Sequence, residues 1–96
     1  ISLYIRHHLS DASLTVEGIA SANHVSIRLL RQLWAAAGED LEPWILRQRL
    51  REARKDVAAS ATPRQAADAI AHRWGFTDPT TFKAHYRDEF GSYPGD

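Results

Sequence analysis

Cysteine is absent from these 96 residues, and so is methionine. Without cysteine there is no disulfide framework, no thiolate zinc site and no cysteine nucleophile. Long apolar runs are missing too. The stretch from Val57 to Ala61 is among the longest, far short of the ~20 residues that a membrane-spanning helix needs. No charged-then-apolar opening of the signal-peptide kind begins the chain. Together these absences set the expectation of a cytoplasmic protein with no membrane partner. A chain that opens on Ile1 and has no methionine is expected to be part of a longer protein. Glycine and proline are sparse, at five and four, so a collagenous or low-complexity segment is excluded.

An excess of one charge is the last absence. Twelve basic residues face twelve acidic ones, for a net charge of zero. That argues against a strongly basic nucleic-acid binder of the ordinary kind. The distribution is uneven, however. Residues 1–55 carry eight basic and six acidic groups, net +2, and residues 56–96 carry four and six, net −2. A polyanionic partner is therefore expected to be held mainly by the first half.

What is present is ordinary globular composition, 44% hydrophobic and 25% charged, with helical spacing throughout. Ile1, Tyr4, Ile5, His8 and Leu9 predict a first helix ending near Ser10-Asp11. Thr15 stands as the N-cap of a second, short helix, with Leu14 and Ile19 at staple spacing. Ser26 caps a third, in which Leu30, Leu33, Trp34 and Ala37 follow the i, i+3, i+4, i+7 pattern up to Gly38. Asp40 opens a longer helix to about Ser60, with Leu46, Leu50, Ala53 and Val57 as one apolar stripe. Thr62-Pro63-Arg64-Gln65 reads as a capping box. The helix behind it buries Ala66, Ile70, Ala71 and Trp74. Asp78-Pro79 then starts a last helix carrying Phe82, Tyr86 and Phe90 on one face. Ser92 to Asp96 is too short for another. No segment alternates with period two, so the expectation is an all-α domain of six helices.

Two parts of this string repeat each other. Each is a short helix with Ile-Ala, a tight turn, and a longer helix with large apolar anchors: Ile19-Ala20 to Trp34, and Ile70-Ala71 to Phe90. Helix, short turn, helix is the arrangement whose second helix enters a DNA major groove. The bridging helix would be ~30 Å long at 1.5 Å per residue, against the ~34 Å between successive major grooves on one side of a duplex. Two readers on one rigid rod thus fit adjacent grooves.

The residues that repeat also resemble the DNA-binding domain of AraC/XylS-type bacterial transcription regulators, over nearly the whole chain. Leu14-Thr15-Val16-Glu17, Ile19-Ala20, His24-Val25-Ser26, Leu30, Leu33-Trp34, Arg49-Leu50 and Ala53 carry the first part of the likeness. Ile70-Ala71, Trp74-Gly75-Phe76-Thr77-Asp78, Phe82, Tyr86, Phe90-Gly91 and Pro94 carry the more specific second part. The resemblance implies a homeodomain-like architecture of two helix-turn-helix halves, with a seventh helix cut short near Pro94. The corresponding division is 1–38, a linker helix over 39–60, and 61–96. It also implies an effector-sensing or dimerising domain before residue 1, homodimers formed through that domain, and contact with RNA polymerase. The partner implied for this part is a double-stranded operator. Three departures stand out. His24 occupies a turn position where glycine is usual, and histidine tolerates left-handed backbone better than most residues. Ala84 replaces a basic residue. The final helix is truncated.

The positions matching the family's base-facing ones are Arg28, Arg31 and Gln32, with Ile27 beside them for a thymine methyl. Arg31 is the foremost candidate. Arginine can donate bidentately to guanine and glutamine can pair with adenine. In the second half the matching positions are Pro79, Thr80, Lys83 and Ala84, of which only Thr80 and Lys83 have donors, so that half is expected to position more than to discriminate. Phosphate contacts are expected from Ser26, Thr15, Asp78, Thr81, His85 and Arg87, helped by helix N-terminal amides. Arg49 is expected to make a structural bond instead.

The sequence offers little to other functional classes. Among five histidines only His7-His8 are adjacent, and neighbours on a helix point ~100° apart, which suits no shared metal. No phosphate loop or nucleophile–base set appears, so neither catalysis, a metal nor a cofactor is expected. A protein-interaction module that keeps the fold but binds DNA weakly remains the alternative, favoured by zero net charge, Pro79 and Ala84.

Overall fold

The computed structural model describes residues 1–96. Six α-helices follow one another: α1 (Ser2–His7), α2 (Val16–Ala22), α3 (Ile27–Ala35), α4 (Leu41–Ala59), α5 (Pro63–Arg73) and α6 (Pro79–Phe90). No strand is present. The last five residues form no seventh helix, although Pro94 is buried.

Most helix starts follow from their caps. The Thr15 hydroxyl accepts from the Gly18 N–H at 3.0 Å, and the Ser26 hydroxyl from the Leu29 N–H at 3.0 Å. Asp78 accepts from the Thr80 N–H at 3.1 Å. Two expected caps differ. Asp40 and Thr62 stand at the right positions but make no side-chain cap bond. Thr62 instead donates its own N–H to the Ser60 hydroxyl, so the capping box does not form. Pro63 at the first position still sets a helical φ for the start of α5. His24 sits at φ +55°, the left-handed turn geometry anticipated for it. The first helix stops at His7 rather than near Asp11, and Leu9 is buried from the turn that follows.

Two cores flank α4. The first gathers Ile5, Leu9, Val16, Ile19, Ala20, Leu30, Trp34, Leu41 and Ile45. The second gathers Leu50, Ala53, Val57, Ile70, Ala71, Phe76, Phe82 and Tyr86. The stripe expected on α4 is present, with Leu50, Ala53 and Val57 in the second core and Leu46 packed against it, but α4 also has a second buried face that the stripe did not include. At 100° per residue, Leu41, Ile45 and Gln48 lie on roughly the opposite side of the helix from Leu50, Ala53 and Val57. The first half of α4 thus serves mainly the first core and the second half the second. Gln48 is only 5% exposed, yet its Oε1 accepts from Arg6 at 3.1 Å, so no buried polar atom is left unpaired. The two aromatic ladders are orderly. Trp34 meets Trp44 edge-on at 5.3 Å, and Phe76, Phe82, Tyr86 and Phe90 stack in sequence at 4.7–5.8 Å between centroids.

Trp74 bridges the halves, and a shared acceptor ties α5 to α4. Trp74 packs against both cores, and its Nε1 donates to Asp56 at 2.7 Å while Arg73 donates to the same oxygen at 2.8 Å. These bonds, the tryptophan's first, hold the Asp56 carboxyl below the usual carboxylate range. A depressed folded-state pKa stabilises fully above the unfolded value of ~3.9 and loses that contribution as pH falls through the folded value. The melting temperature should therefore be level from pH 7 to about 5 and drop below pH ~4. Asp56→Asn should lower the neutral-pH melting point and flatten the acid limb. Identical acid limbs in circular-dichroism melts of the two proteins would exclude this role.

Candidate nucleic-acid interface

The domain is elongated, 42 × 23 × 20 Å, with α3 in one half and α6 in the other. Each is the second helix of a helix-turn-helix pair, packed on α2 and α5 respectively. Their faces can be laid out from the buried residues. In α3, Leu30 and Trp34 point into the core. At 100° per residue Gln32 lies directly opposite, with Arg28 and Leu29 on either side of it. All three are exposed.

Arg31 is placed otherwise than the spacing suggested. It lies about 80° from the core direction, on the flank facing α4 rather than on the outer face. There Nη1 and Nη2 donate to Glu42 Oε2 and Oε1 at 2.9 and 2.8 Å, a fork-to-fork pair. Each partner is held in its charged form, with Glu42 lowered and Arg31 raised chiefly by this bond. Leu33 was expected in the core, and it is 48% exposed; Ala37 is exposed as well. Leu33 falls on the other flank of α3, beside Trp34, Trp44 and Ile1. Ile27, at the helix start, is exposed.

The register of α6 is the same, counted from its cap. Phe82 and Tyr86 are the buried pair. Ala84 lies opposite, flanked by Thr80, and both are exposed. Lys83 stands five residues after Asp78 as Arg31 stands five after Ser26, and it too is paired, with Asp68 of α5 at 3.0 Å. The repeat thus extends to an ion pair that spacing alone did not reveal. Both acids come from neighbouring helices, so no pattern within α3 or α6 points to them.

Among the expected phosphate contacts, Ser26 and Thr15 accept cap bonds through oxygen lone pairs, and each hydroxyl keeps its proton to donate. Thr81 spends its proton on Asp78 at 2.5 Å. Asp78 is held ionised by that bond and by the Thr80 N–H. An ionised carboxylate only accepts, so the Asp78 side chain secures the start of α6 and offers a phosphate no donor. His85 is half-buried beside Arg49 and Thr81. Arg87 donates to the Tyr93 hydroxyl at 3.3 Å, with its guanidinium 5.2 Å from that ring.

Arg49 is structural. Its Nε donates to the Leu9 carbonyl at 3.0 Å and its Nη2 to that of Asp11 at 2.8 Å. Six of the twelve cations are in ion pairs: Arg31, Arg47, Lys55, Arg64, Arg73 and Lys83. Arg28 is not among them. It is the one cation on the outer face of α3.

Residues 19–96 match the helix-turn-helix domain family. The chain is 34% identical, over 91 residues, to the transcriptional activator NphR of a Rhodococcus species. It belongs to the AraC-type helix-turn-helix family. The match covers 95% of this chain and 26% of that activator, so the chain spans about a quarter of its relative's length. Among solved structures, the DNA-binding domain of AdpA in complex with a target DNA superposes with a TM-score of 0.84 at 26% identity, over 97% of this chain and 81% of that one. The C-terminal domain of AraT, a response regulator from Geobacillus stearothermophilus, superposes at 0.83 with 24% identity, over 96% and 74%. That likeness concerns the fold. The AraC-type family is one of transcription-regulator DNA-binding domains, not a class of enzymes.

Proposed function

We propose that this domain binds double-stranded DNA in a sequence-specific way, placing α3 and α6 in neighbouring major grooves, and that it serves a bacterial transcription regulator in the cytoplasm. The observation that carries this reading is the outer face of α3, where Arg28 and Gln32 stand exposed and opposite the core. Arg28 makes no ion pair that would have to be broken. The 42 Å long axis accommodates the ~34 Å between successive grooves. Residues 1–38 and 61–96 act as the two readers and 39–60 as the linker. Ser26, Thr15, His85 and Arg87 are assigned to phosphates, and Thr80 and Lys83 to the bases under α6. Ala84 at the centre of the α6 face has only a methyl to offer, so discrimination is concentrated under α3. Ile27 supplies an apolar contact for a thymine methyl. In the longer protein, a preceding domain would add effector response or dimerisation, and RNA polymerase would be a further partner.

Selection from a random duplex library, followed by salt-titrated anisotropy on the enriched sequence, tests this. The expected site is asymmetric, information-rich in one half and poor in the other. Arg28→Ala and Gln32→Ala should each cost ~1–3 kcal/mol, about five- to 150-fold in Kd. Thr80→Ala should cost less. A site equally sharp under both helices would overturn the asymmetry.

The protein-interaction alternative has one observation in its favour. Leu29 and Leu33 of α3 are 43% and 48% exposed, an apolar element that phosphate does not need. Absence of binding to any duplex at low salt would favour it.

A further inference from the structure

Two reading helices on one rod can take a duplex together only if both face it at once. We propose that Trp74 is a positioning residue for DNA binding, which, held by Asp56, sets the orientation of α6 relative to α3 before the duplex arrives. This rests on the DNA-binding reading above and adds what fixes the geometry between the two motifs.

Helix α4 by itself fixes distance better than orientation. Its 19 residues keep the two ends ~28 Å apart. Each half, however, packs on its own part of that rod, Leu41 and Ile45 in the first core and Leu50, Ala53 and Val57 in the second. A contact away from the rod is what opposes tilting of one half against the other. Trp74 supplies it, as the only hydrophobic side chain that packs against both cores. It stands at the C-cap of α5. The next residue, Gly75, brings its backbone so close to the Leu9 carbonyl that a Cβ would be 2.9 Å from that oxygen. Arg49 of α4 donates to the same carbonyl at 3.0 Å. The turn after α5 is thus seated on the turn after α1, with the rod bonded beneath.

A ring wedged between two cores holds an angle only if it cannot turn. The Trp74 Nε1 donates to Asp56 Oδ2 at 2.7 Å, and Arg73 donates to that same oxygen at 2.8 Å. Both donors come from the end of α5, so Asp56 clamps that end to α4 and aims the indole. The orientation is passed on to α6. Phe76, two residues after Trp74, meets Phe82 of α6 at 4.9 Å between centroids, and Phe82 lies opposite the face that carries Thr80 and Ala84. A second contact made within one molecule gains in strength when the linkage already spans the sites. Since α6 offers few base contacts, this gain is its main contribution.

The experiment uses the 96-residue chain, the library-selected duplex, and a shorter duplex that keeps only the half read by α3. Wild type should bind the full duplex about ten-fold more tightly than the short one, or better. Trp74→Phe keeps an aromatic ring and loses the N–H. It should lower that ratio about three- to ten-fold, the scale of one hydrogen bond, with short-duplex affinity unchanged. Asp56→Ala should do the same. Asp56→Asn, whose amide oxygen still accepts from the indole, should keep the wild-type ratio. The absence of cysteine permits a second measurement. Spin labels on Ala36→Cys/Ala84→Cys, both exposed positions, should give a narrow distance distribution in the free domain and a broader one when Trp74→Phe is added. Circular-dichroism melts that leave every variant folded at the assay temperature separate these effects from unfolding. Equal losses on the two duplexes would make Trp74 purely structural and overturn the proposal. An unchanged ratio or an unchanged distance distribution in Trp74→Phe overturns it as well, as does a loss in Asp56→Asn equal to that in Asp56→Ala. A wild type that gains nothing from the longer duplex also overturns it, with the reading by α3 left standing. Failure of the wild type to bind any duplex at low salt would instead remove the DNA-binding reading, and this inference with it.

Discussion

Phe82→Ala is expected to destabilise the domain by about 3–5 kcal/mol, the usual cost of truncating a buried phenylalanine. Phe82 is fully buried, with none of its surface accessible, and it sits between Phe76 at 4.9 Å and Tyr86 at 5.8 Å. Its removal takes one wall from each neighbour, in a core whose large side chains are few. Small domains hold only about 5–15 kcal/mol in total, so the variant should melt some tens of degrees lower, or unfold at room temperature. The loss should not be confined to α6. Leu50, Ala53 and Val57 of α4 belong to the same core, and α4 also closes the first one. A single cooperative transition at lower temperature is expected in calorimetry. Two separated transitions, with the first half melting as before, would show that α4 does not couple the cores.

Gly75→Ala is the second large effect, expected at about 2–4 kcal/mol. Gly75 follows α5 in the left-handed region, at φ +85°. A Cβ there would stand 2.9 Å from the Leu9 carbonyl oxygen and 3.1 Å from Arg49 Cζ. The first of these is backbone and cannot swing aside. The same carbonyl accepts from Arg49 Nε, so displacing it would disturb the bond that ties the turn after α1 to α4. Burial already lowers the Arg49 pKa, and its two carbonyl partners are what make that buried cation tolerable. Gly38 and Gly91 have left-handed φ values too, but an added Cβ meets nothing within 4 Å at either. Gly38→Ala and Gly91→Ala should therefore cost only the backbone preference, ~1 kcal/mol. Denaturant melts of the three variants test this ranking directly. Equal losses at all three positions would mean that the contact with Leu9 carries no weight.

Local rules were sufficient for the six helices and most of their limits, because each boundary is set by nearby groups. Thr15, Ser26 and Asp78 cap through atoms two or three residues away, and the turns after α3, α5 and α6 need glycine at positive φ. Asp40 and Thr62 stand at cap positions without capping. Thr62 has ψ 63° with Ser60 taking its N–H, whereas Asp40 has the extended backbone of a cap and still makes no cap bond. The stripe along α4 accounts for only one of its two buried faces, because a single period assumes one buried side, whereas Leu41 and Ile45 turn to the other core.

The composition, the caps and the duplicated helix pairs determine an all-α chain with two reading helices, and they already place Arg28, Gln32 and Thr80 on α3 and α6. These are properties of residues within a few positions of one another, which is where spacing has force. Only the tertiary structure decided which cations are available. Arg31 answers to Glu42, eleven residues away on another helix, and Lys83 to Asp68. Arg49 is drawn inward by carbonyls some forty residues distant. Whether a charge faces a partner or is neutralised at home depends on which helices meet. That is set by burying two cores on one rod, and no pattern within a single helix encodes it.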